Sequence, residues 1–297
     1  MTPRPQGMLT VERMCALAGV SRAGYYRHWQ GSAPRQEETV VRDAIQRAAL
    51  ANRHYGYRRI AAQLRREGLV VNRKRVLRLM RADNLLCLRV KSFVPATTES
   101  RHGWQIVPNL ARGLVPTGLD QLWVADITYV RLLEEFVYLA IVLDAFSRRV
   151  IGWALEGHVQ ASLAVAALTM ALRDRRPAYG SLVHHSDRGV QYACPDYTTV
   201  LDRHGIQASM SRVGNPYDNA RAESFMKTLK QEEVDGRDYR DIRGARRQIG
   251  TFIEQVYNRQ RLHSALGYRP PEEFEANWSP SGAAAQQPQM ALIATCP

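Results

Sequence analysis

The sequence predicts an α/β protein, a mixed β-sheet with helices on its faces, preceded by small all-helical modules. Three observations predict it. Apolar residues recur at helical spacing up to about residue 90 and change to β-branched and aromatic runs from Leu122 onward. Those runs then alternate with helical segments in the order strand, strand, strand, helix, strand, helix, strand, helix, which describes a mixed sheet flanked by helices. Charge divides at the same place: of a formal +13, residues 1–119 carry +14 and residues 120–297 carry −1. A polyanion-gripping part followed by a part that does something else is the expected organisation.

Taken in order, residues 1–32 hold a helix-turn-helix pattern. Val11, Met14, Cys15 and Leu17 recur at helical spacing, Ala18-Gly19-Val20 breaks the run, and Ser21 caps a second helix that carries Arg22, Tyr25, Tyr26 and Arg27. Groove contacts by Arg22 and a plain helical hairpin with core tyrosines are equally open readings. Residues 35–90 read as a helical DNA-binding domain with helices at Glu37 to Ala51, Tyr57 to Glu67 and Asn72 to Ala82, the last capped by Asn72. In that third helix Val76, Leu77, Leu79 and Met80 face a core. Arg73, Lys74, Arg75, Arg78 and Arg81 crowd the other side with no acid until Asp83, which favours a phosphate-tracking helix over a merely solvated face.

Residues 91–118, rich in Pro, Thr, Ser and Gly, read as a linker that could also lie along DNA. The α/β core is expected over residues 119–275. Leu122 to Val130 and Phe136 to Leu143 form a hairpin, Arg149 to Leu155 a third strand, Ser162 to Arg173 a helix, Leu182 to His185 a strand, Pro195 to His204 a helix, and Ile206 to Met210 a strand. Long helices follow at about Asp218 to Val234 and Asp241 to Asn258. Residues 276–297, rich in Ala, Gln, Pro and Ser, read as a disordered tail.

The apolar fraction of 45% is too high for a disordered chain. Cys15, Cys87, Cys194 and Cys296 lack paired spacing, so neither a disulfide framework nor a zinc ribbon is indicated, and His184, His185 and Cys194 do not make a zinc set. The longest small-apolar run, Ala161 to Leu172, is too short to span a bilayer. A cytoplasmic or nucleoid-associated protein is expected, with no membrane partner.

Three acids carry the chemistry. Asp126 lies in the middle of the first strand among apolar neighbours, a costly place for a carboxylate unless something binds it. Asp187 ends the fourth strand, where sheets of this kind place ligands. Glu223 lies in the helix after Gly214-Asn215-Pro216-Tyr217-Asp218-Asn219. Converging carboxylates suit Mg²⁺ or Mn²⁺, and two such ions about 3.5–4 Å apart serve phosphodiester cleavage or transfer. Singly, each acid has a structural reading: a hydrogen-bonded buried carboxylate, a turn residue, a solvated helix position. Asp144 is the acid most easily mistaken for a catalytic one and is expected to shape the turn into the third strand.

Sixty residues separate Asp126 from Asp187 and 35 separate Asp187 from Glu223. With Tyr55-Gly56-Tyr57-Arg58-Arg59-Ile60, Trp123-Val124-Ala125-Asp126-Ile127-Thr128-Tyr129, His185-Ser186-Asp187-Arg188-Gly189-Val190-Gln191-Tyr192, Gly214-Asn215-Pro216-Tyr217-Asp218-Asn219-Ala220 and Tyr257-Asn258…Arg261…His263…Leu266…Pro270, the sequence resembles the second-frame (OrfB-type) transposases of the insertion-sequence-three family, within the retroviral-integrase-like DDE group. The resemblance runs from about Tyr55 to Phe274. It implies a ribonuclease-H-like core, Asp126, Asp187 and Glu223 as catalytic metal ligands, two Mg²⁺ or Mn²⁺ ions per site, and nicking at 3′ ends followed by strand transfer by direct transesterification. It also implies terminal inverted repeats and target DNA as partners, a homo-oligomer on DNA, and an upstream first-frame (OrfA-type) product as a possible partner. Lys230 matches the family's basic position on the catalytic helix. Lys227 shares its face with Glu223 and Lys230, and Asn215 and Tyr217 are further candidate DNA contacts. The family's fusion products commonly carry a helix-turn-helix and a leucine zipper from the first frame, and no heptad run occurs here, so either this chain is the catalytic product alone or its short N-terminal helical pair substitutes, with assembly relying on a partner or on DNA.

Two other functions fit the residues less well. A nuclease of the same fold acting on RNA in a hybrid would hydrolyse and not join. A DNA-binding protein with a silent core would have no need of an intact acidic set.

Overall fold

The computed structural model describes residues 10–30, 36–87, 103–212 and 219–279. The chain divides into two compact units, residues 1–87 and 88–297.

The first unit is all helical. α1 (Val11–Leu17) starts at Thr10, whose hydroxyl accepts from Arg13 N, and Gly19 takes φ +63° in the turn before α2 (Arg22–Gln30). Ser21 Oγ accepts from Gly24 N at 3.0 Å, as the capping pattern predicts. α3 (Gln36–Ala51), α4 (Tyr57–Arg66) and α5 (Arg73–Ala82) bury Ala44, Ile45, Ile60, Leu64, Val76, Leu79 and Met80. Leu77, expected in this core, is only half-buried. Asn72 caps α5 by accepting from Lys74 N at 2.8 Å. One base of the α5 face is engaged within the unit, because Arg78 pairs with Glu38 on α3; Asp83, just past α5, pairs with Arg42 of α3.

In the second unit, β1 (Leu122–Arg131), β2 (Phe136–Asp144) and β3 (Val150–Glu156) form an antiparallel meander. After α6 (Ala161–Arg175), β4 (Val183–Ser186) enters parallel to β1. α7 (Val190–Ala193) and α8 (Pro195–Arg203) lead to β5 (Gln207–Met210), parallel to β4. The order β3-β2-β1-β4-β5 makes β1 central and gives the ribonuclease-H-like arrangement. α9 (Ala220–Leu229) continues as a π-helical turn at Lys230–Val234, and α10 (Ile242–Thr251) as another at Phe252–Tyr257. α11 (Pro271–Ala276) follows a short 3₁₀ turn.

Strand alternation sends Leu122 and Val124 to the face covered by α9 and α10, and Trp123 and Ala125 to the face covered by α6 and α8. Helix α6 lies so close to β3 that a Cβ on Gly152 would fall 2.1 Å from the Ala167 carbonyl. Asp144 shapes the β2–β3 turn as expected, one oxygen accepting from Phe146 N and Ser147 N and the other from Asp120 N, at 2.8–2.9 Å. Asn258 clips α10 to β3, accepting from Val150 N at 3.0 Å and donating to its carbonyl at 2.9 Å. Arg149 and Arg259 hold Glu272 of α11, and Arg149 and Arg175 hold Glu275.

The segment expected to be linker is docked where it is described. Leu110 N and Ala111 N donate to Ser209 Oγ on β5, and Ala111 and Leu114 pack against the α9 face. Apolar burial and a satisfied backbone thus override a loop-like composition. The expected disordered tail lies almost wholly outside the described residues. No helix among the described residues is long and apolar enough to cross a membrane.

Candidate active site

Asp126 belongs to the same face of β1 as Leu122 and Val124, so it points toward α9. Val124 pairs with His185 in the parallel β1–β4 ladder, and two residues further the same register sets Asp126 opposite Asp187, the first residue past β4. The two acids are close enough for each charge to act on the other, as the shift at Asp126 shows.

Glu223 stands in the first turn of α9, exposed. Asn219, the residue before the helix, sets its place: the buried side-chain amide donates to the Ala125 carbonyl at 2.9 Å. The start of α9 is thereby fixed to the residue preceding Asp126.

Burial, then the charges of Asp187 and Glu223, push the Asp126 carboxyl up to about 7, against the Ile127 N–H, 2.9 Å from Oδ1, and Lys230. Lys230 is the positive charge that acts on this carboxylate, and it offsets less than burial and the two acids add. Lys230 is half-buried, its Nζ 4.3 Å from the centroid of the Tyr129 ring, and burial pulls it below the usual lysine range while Asp235 and Asp126 oppose that pull. Lys227, less than one turn earlier, is exposed.

Asp187 is aimed by its own loop. Its Oδ1 accepts from Gly189 N at 2.9 Å, and a Cβ on Gly189 would approach that oxygen to 3.0 Å and Gln191 Oε1 to 2.9 Å. Gln191 is itself held through a 2.8 Å bond to the Val159 carbonyl. Neighbouring His184 and His185 are core residues on opposite faces. Tyr197 hydroxyl meets His184 at 3.0 Å, and Ser209 and Ser211 hydroxyls bracket His185 at 2.8 and 2.9 Å. Burial, with a smaller push from His185, takes His184 down to about 3.

An all-carboxylate donor set suits a hard divalent cation, and an undercompensated, half-buried aspartate beside a second acid is where one would bind. As the side chains stand, no three His, Cys, Asp or Glu groups among the described residues are gathered to hold a metal ion. Asp126 and Asp187 act on each other electrostatically, while Glu223 is exposed on α9.

The other expected residues distribute differently. Arg22 on α2 and Arg73, Lys74 and Arg75 on α5 are exposed on the first unit. Arg78 is exposed too but paired with Glu38. Asn215 and Tyr217 lie outside the described residues. Sequence reasoning did not single out Asn219 or Gly189. The signal for Asn219 was its place immediately before a helix, and none marks Gly189 apart from its loop. It also passed over Arg148 and Arg221, both held below the usual arginine range by burial, with Arg221's charge adding to the effect on Arg148.

Family models described as integrase core domain match residues 116–216 and 204–271, and one described as HTH-like domain matches residues 35–93, the region of α3 to α5 and not the α1–α2 pair. The insertion element IS600 uncharacterized 31 kDa protein of Shigella sonnei is 40% identical over 270 residues, covering 89% of this chain and 98% of that one. Transposase InsF for insertion sequence IS3A of Escherichia coli (strain K12) is 36% identical over 277 residues, covering 91% and 95%. Among solved structures, a simian T-cell lymphotropic virus intasome in complex with PP2A regulatory subunit B56 gamma matches with TM-score 0.42 at 14% identity, over 86% of this chain and 78% of that chain. The HTLV-2 integrase catalytic core domain in complex with magnesium (trimeric form) matches with TM-score 0.40 at 13% identity, over 52% and 96%.

Proposed function

The chain belongs to the transposase family of insertion sequence IS3, a DNA-binding DDE polynucleotidyl transferase, and on that premise we propose that Asp126, Asp187 and Glu223 are its catalytic carboxylates and divalent-metal ligands. The observation that carries this reading is geometric: Asp126 stands on the central strand, next to the strand that ends just before Asp187, and Asn219 ties the start of the helix bearing Glu223 to the Ala125 carbonyl. Mg²⁺ or Mn²⁺, two ions in the fully assembled site, would supply activation of the attacking oxygen and charge neutralisation at the leaving oxygen.

The chain's own residues do the rest. Asp126 on β1 and Asp187, the residue that follows β4, present their carboxylates from one edge of the sheet, a base that costs little reorganisation. Gly189 holds Asp187 in line. Asn219 sets α9 on β1 so that Glu223 can close from the opposite side. Lys230 brings positive charge toward Asp126, and with Lys227 it faces DNA phosphate beside the acids. In the first step water attacks a phosphate at the element end: a bond from its oxygen to phosphorus forms as the bond to the 3′ oxygen breaks, leaving a 5′ phosphate on one side and, once that oxygen takes a proton, a free 3′ hydroxyl on the other. That hydroxyl then attacks a target phosphate, and one bond forms as one breaks, with the displaced 3′ oxygen carrying away the electron pair.

Arg22, Arg73, Lys74, Arg75 and Arg78 would grip DNA phosphates from the helical unit, Arg78 after leaving Glu38. Asn215 and Tyr217 would touch DNA near the acids. The active assembly would be a homo-oligomer on terminal inverted repeats and target DNA, with or without an upstream first-frame product, working in the cytoplasm at the nucleoid. The test is product analysis on DNA carrying the ends of its element. The full chain should join strands in Mg²⁺ or Mn²⁺ and stop in EDTA. Hydrolysed RNA from a hybrid duplex with no joined DNA would overturn the reading, and so would joining that persists in EDTA.

A further inference from the structure

Tyr257, Asn258 and Arg261 stand apart from the acids in sequence and touch the helix that carries Glu223. Tyr257 meets Phe225 of α9 edge to face, with ring centroids 4.8 Å apart. Asn258 is clipped to Val150 of β3 by two hydrogen bonds. Arg261 is 6% exposed and donates to both oxygens of Glu232 at 2.8–3.1 Å, with its guanidinium 5.9 Å from the Tyr257 ring centroid. A guanidinium fork on a carboxylate fixes its partner in direction as well as in distance.

Glu232 belongs to the π-helical turn Lys230–Val234, in which Asp235 N donates to the Lys230 carbonyl five residues back. Single π turns within α-helices are rare and are frequent at functional sites. The next residue, Glu233, accepts from the Tyr239 hydroxyl at 3.2 Å and pairs with Arg237 at 3.1 Å. Both acids of the turn are thus held, and the stretch from Asn258 to Arg261 carries the hold on Glu232 to the sheet.

Lys230 opens this turn. It stands two residues before Glu232, so the two side chains leave the helix on different sides. Glu232 meets Arg261, while Lys230 Nζ lies 4.3 Å from the Tyr129 ring centroid, with the charges of Asp235 and Asp126 both acting on it. A buried ion pair contributes little net stability once desolvation is counted, so stability alone is a weak reason for this one. We propose that Arg261 is a positioning residue for strand joining, which fixes Glu232 and so sets the π turn that keeps Lys230 beside Asp126. Released from Arg261, the turn is free to take the commoner α-helical winding, and Lys230 loses its fixed direction.

This role presupposes the joining site read at Asp126, Asp187 and Glu223, and the test on the full chain separates the two. Arg261→Met together with Glu232→Leu replaces the ion pair by apolar groups, a change that is often neutral or stabilising, so the melting temperature should hold. Single-turnover joining of element-end DNA in Mg²⁺ should fall roughly tenfold, as for a reacting group displaced by less than 1 Å. The chain has four lysines, Lys74, Lys91, Lys227 and Lys230, so acylation by an amine reagent is readily assigned by mass spectrometry. Labelling of Lys230 relative to exposed Lys227 should rise by roughly threefold or more as its packing loosens. In a Lys230→Ala background the same pair of substitutions should cost no further joining, because the loss passes through Lys230.

Arg261→Lys keeps the charge and loses the fork, and it decides if the apolar pair does not fold: joining and labelling should move in the same directions. Joining by the variants at the wild-type rate, labelling of Lys230 as in wild type, or a joining loss that persists in full without Lys230 would each overturn the positioning role. Joining by the wild-type chain leaves the proposed function standing in all three cases. Faster labelling of Lys230 in variants of a chain that joins no DNA would strike the proposed function alone.

Discussion

Replacing Gly189 by alanine tests whether the placement of Asp187 matters. Gly189 has φ outside the left-handed region, so alanine brings no backbone strain, only a methyl group. That methyl would lie 3.0 Å from Asp187 Oδ1 and 2.9 Å from Gln191 Oε1, where ordinary contact begins at 3.4 Å. Each neighbour must therefore retreat by about 0.4–0.5 Å, and Gln191 is tethered to Val159. Misplacing a reacting group by 1 Å can cost ~100-fold, so a shift of half that size predicts roughly a tenfold loss of strand joining. Gly157→Ala is the matched control, because a Cβ there meets nothing within 4 Å. The assay is the single-turnover joining rate beside a thermal melt. Gly189→Ala should join about tenfold more slowly with a melting temperature near that of the control, and adding Gln191→Ala should not restore the rate. Joining at the Gly157→Ala rate would refute the idea that Asp187 must be held where the loop puts it.

Asn258→Ala removes both clips to Val150 and leaves buried backbone groups unmade, so the core should lose about 2–4 kcal/mol in urea unfolding. An unchanged midpoint would show that the α10–β3 clip is dispensable. His184 is neutral in the fold at about 3 and titrates at its ordinary value when unfolded, so its stabilisation is present above pH 6.5 and is lost as pH falls toward 3. By pH 5 that loss is about 2 kcal/mol, and His184→Gln, which cannot titrate, should flatten this part of the pH-stability curve. Identical curves would contradict a buried neutral histidine. Lys74→Ala and Arg75→Ala should each weaken DNA binding alike for all sequences and lower the salt slope by ~0.9, read by anisotropy across salt concentrations. A loss confined to one sequence would instead point to base contacts.

Much of this was legible in the chain. The strands appear within a residue or two of the β-branched and aromatic runs, and the spacing of Asp126, Asp187 and Glu223 placed the acids on β1, after β4 and on α9. What escaped depends on partners far along the chain. α11 is short and is fixed by Arg149, Arg175 and Arg259, and no local pattern announces such contacts. The π turns that extend α9 and α10 keep the composition of ordinary helix. The basic run on α5 looked unopposed because Glu38 lies 40 residues before Arg78. Asn219 gained its role only when folding brought it to Ala125. The docking of residues 110 and 111 on Ser209 runs against their loop-like surroundings.

The central claim is that three carboxylates act together in strand joining. It is tested most directly by Asp126→Asn, Asp187→Asn and Glu223→Gln, assayed for joining of element-end DNA in Mg²⁺ beside wild type at matched DNA occupancy. Each amide keeps its residue's size and removes its charge. Since even a change outside a metal's direct ligands costs ~10–100-fold, all three variants should bind DNA normally and join it more than about 100-fold more slowly. A variant that joins strands at the wild-type rate would remove its acid from the site and contradict the account.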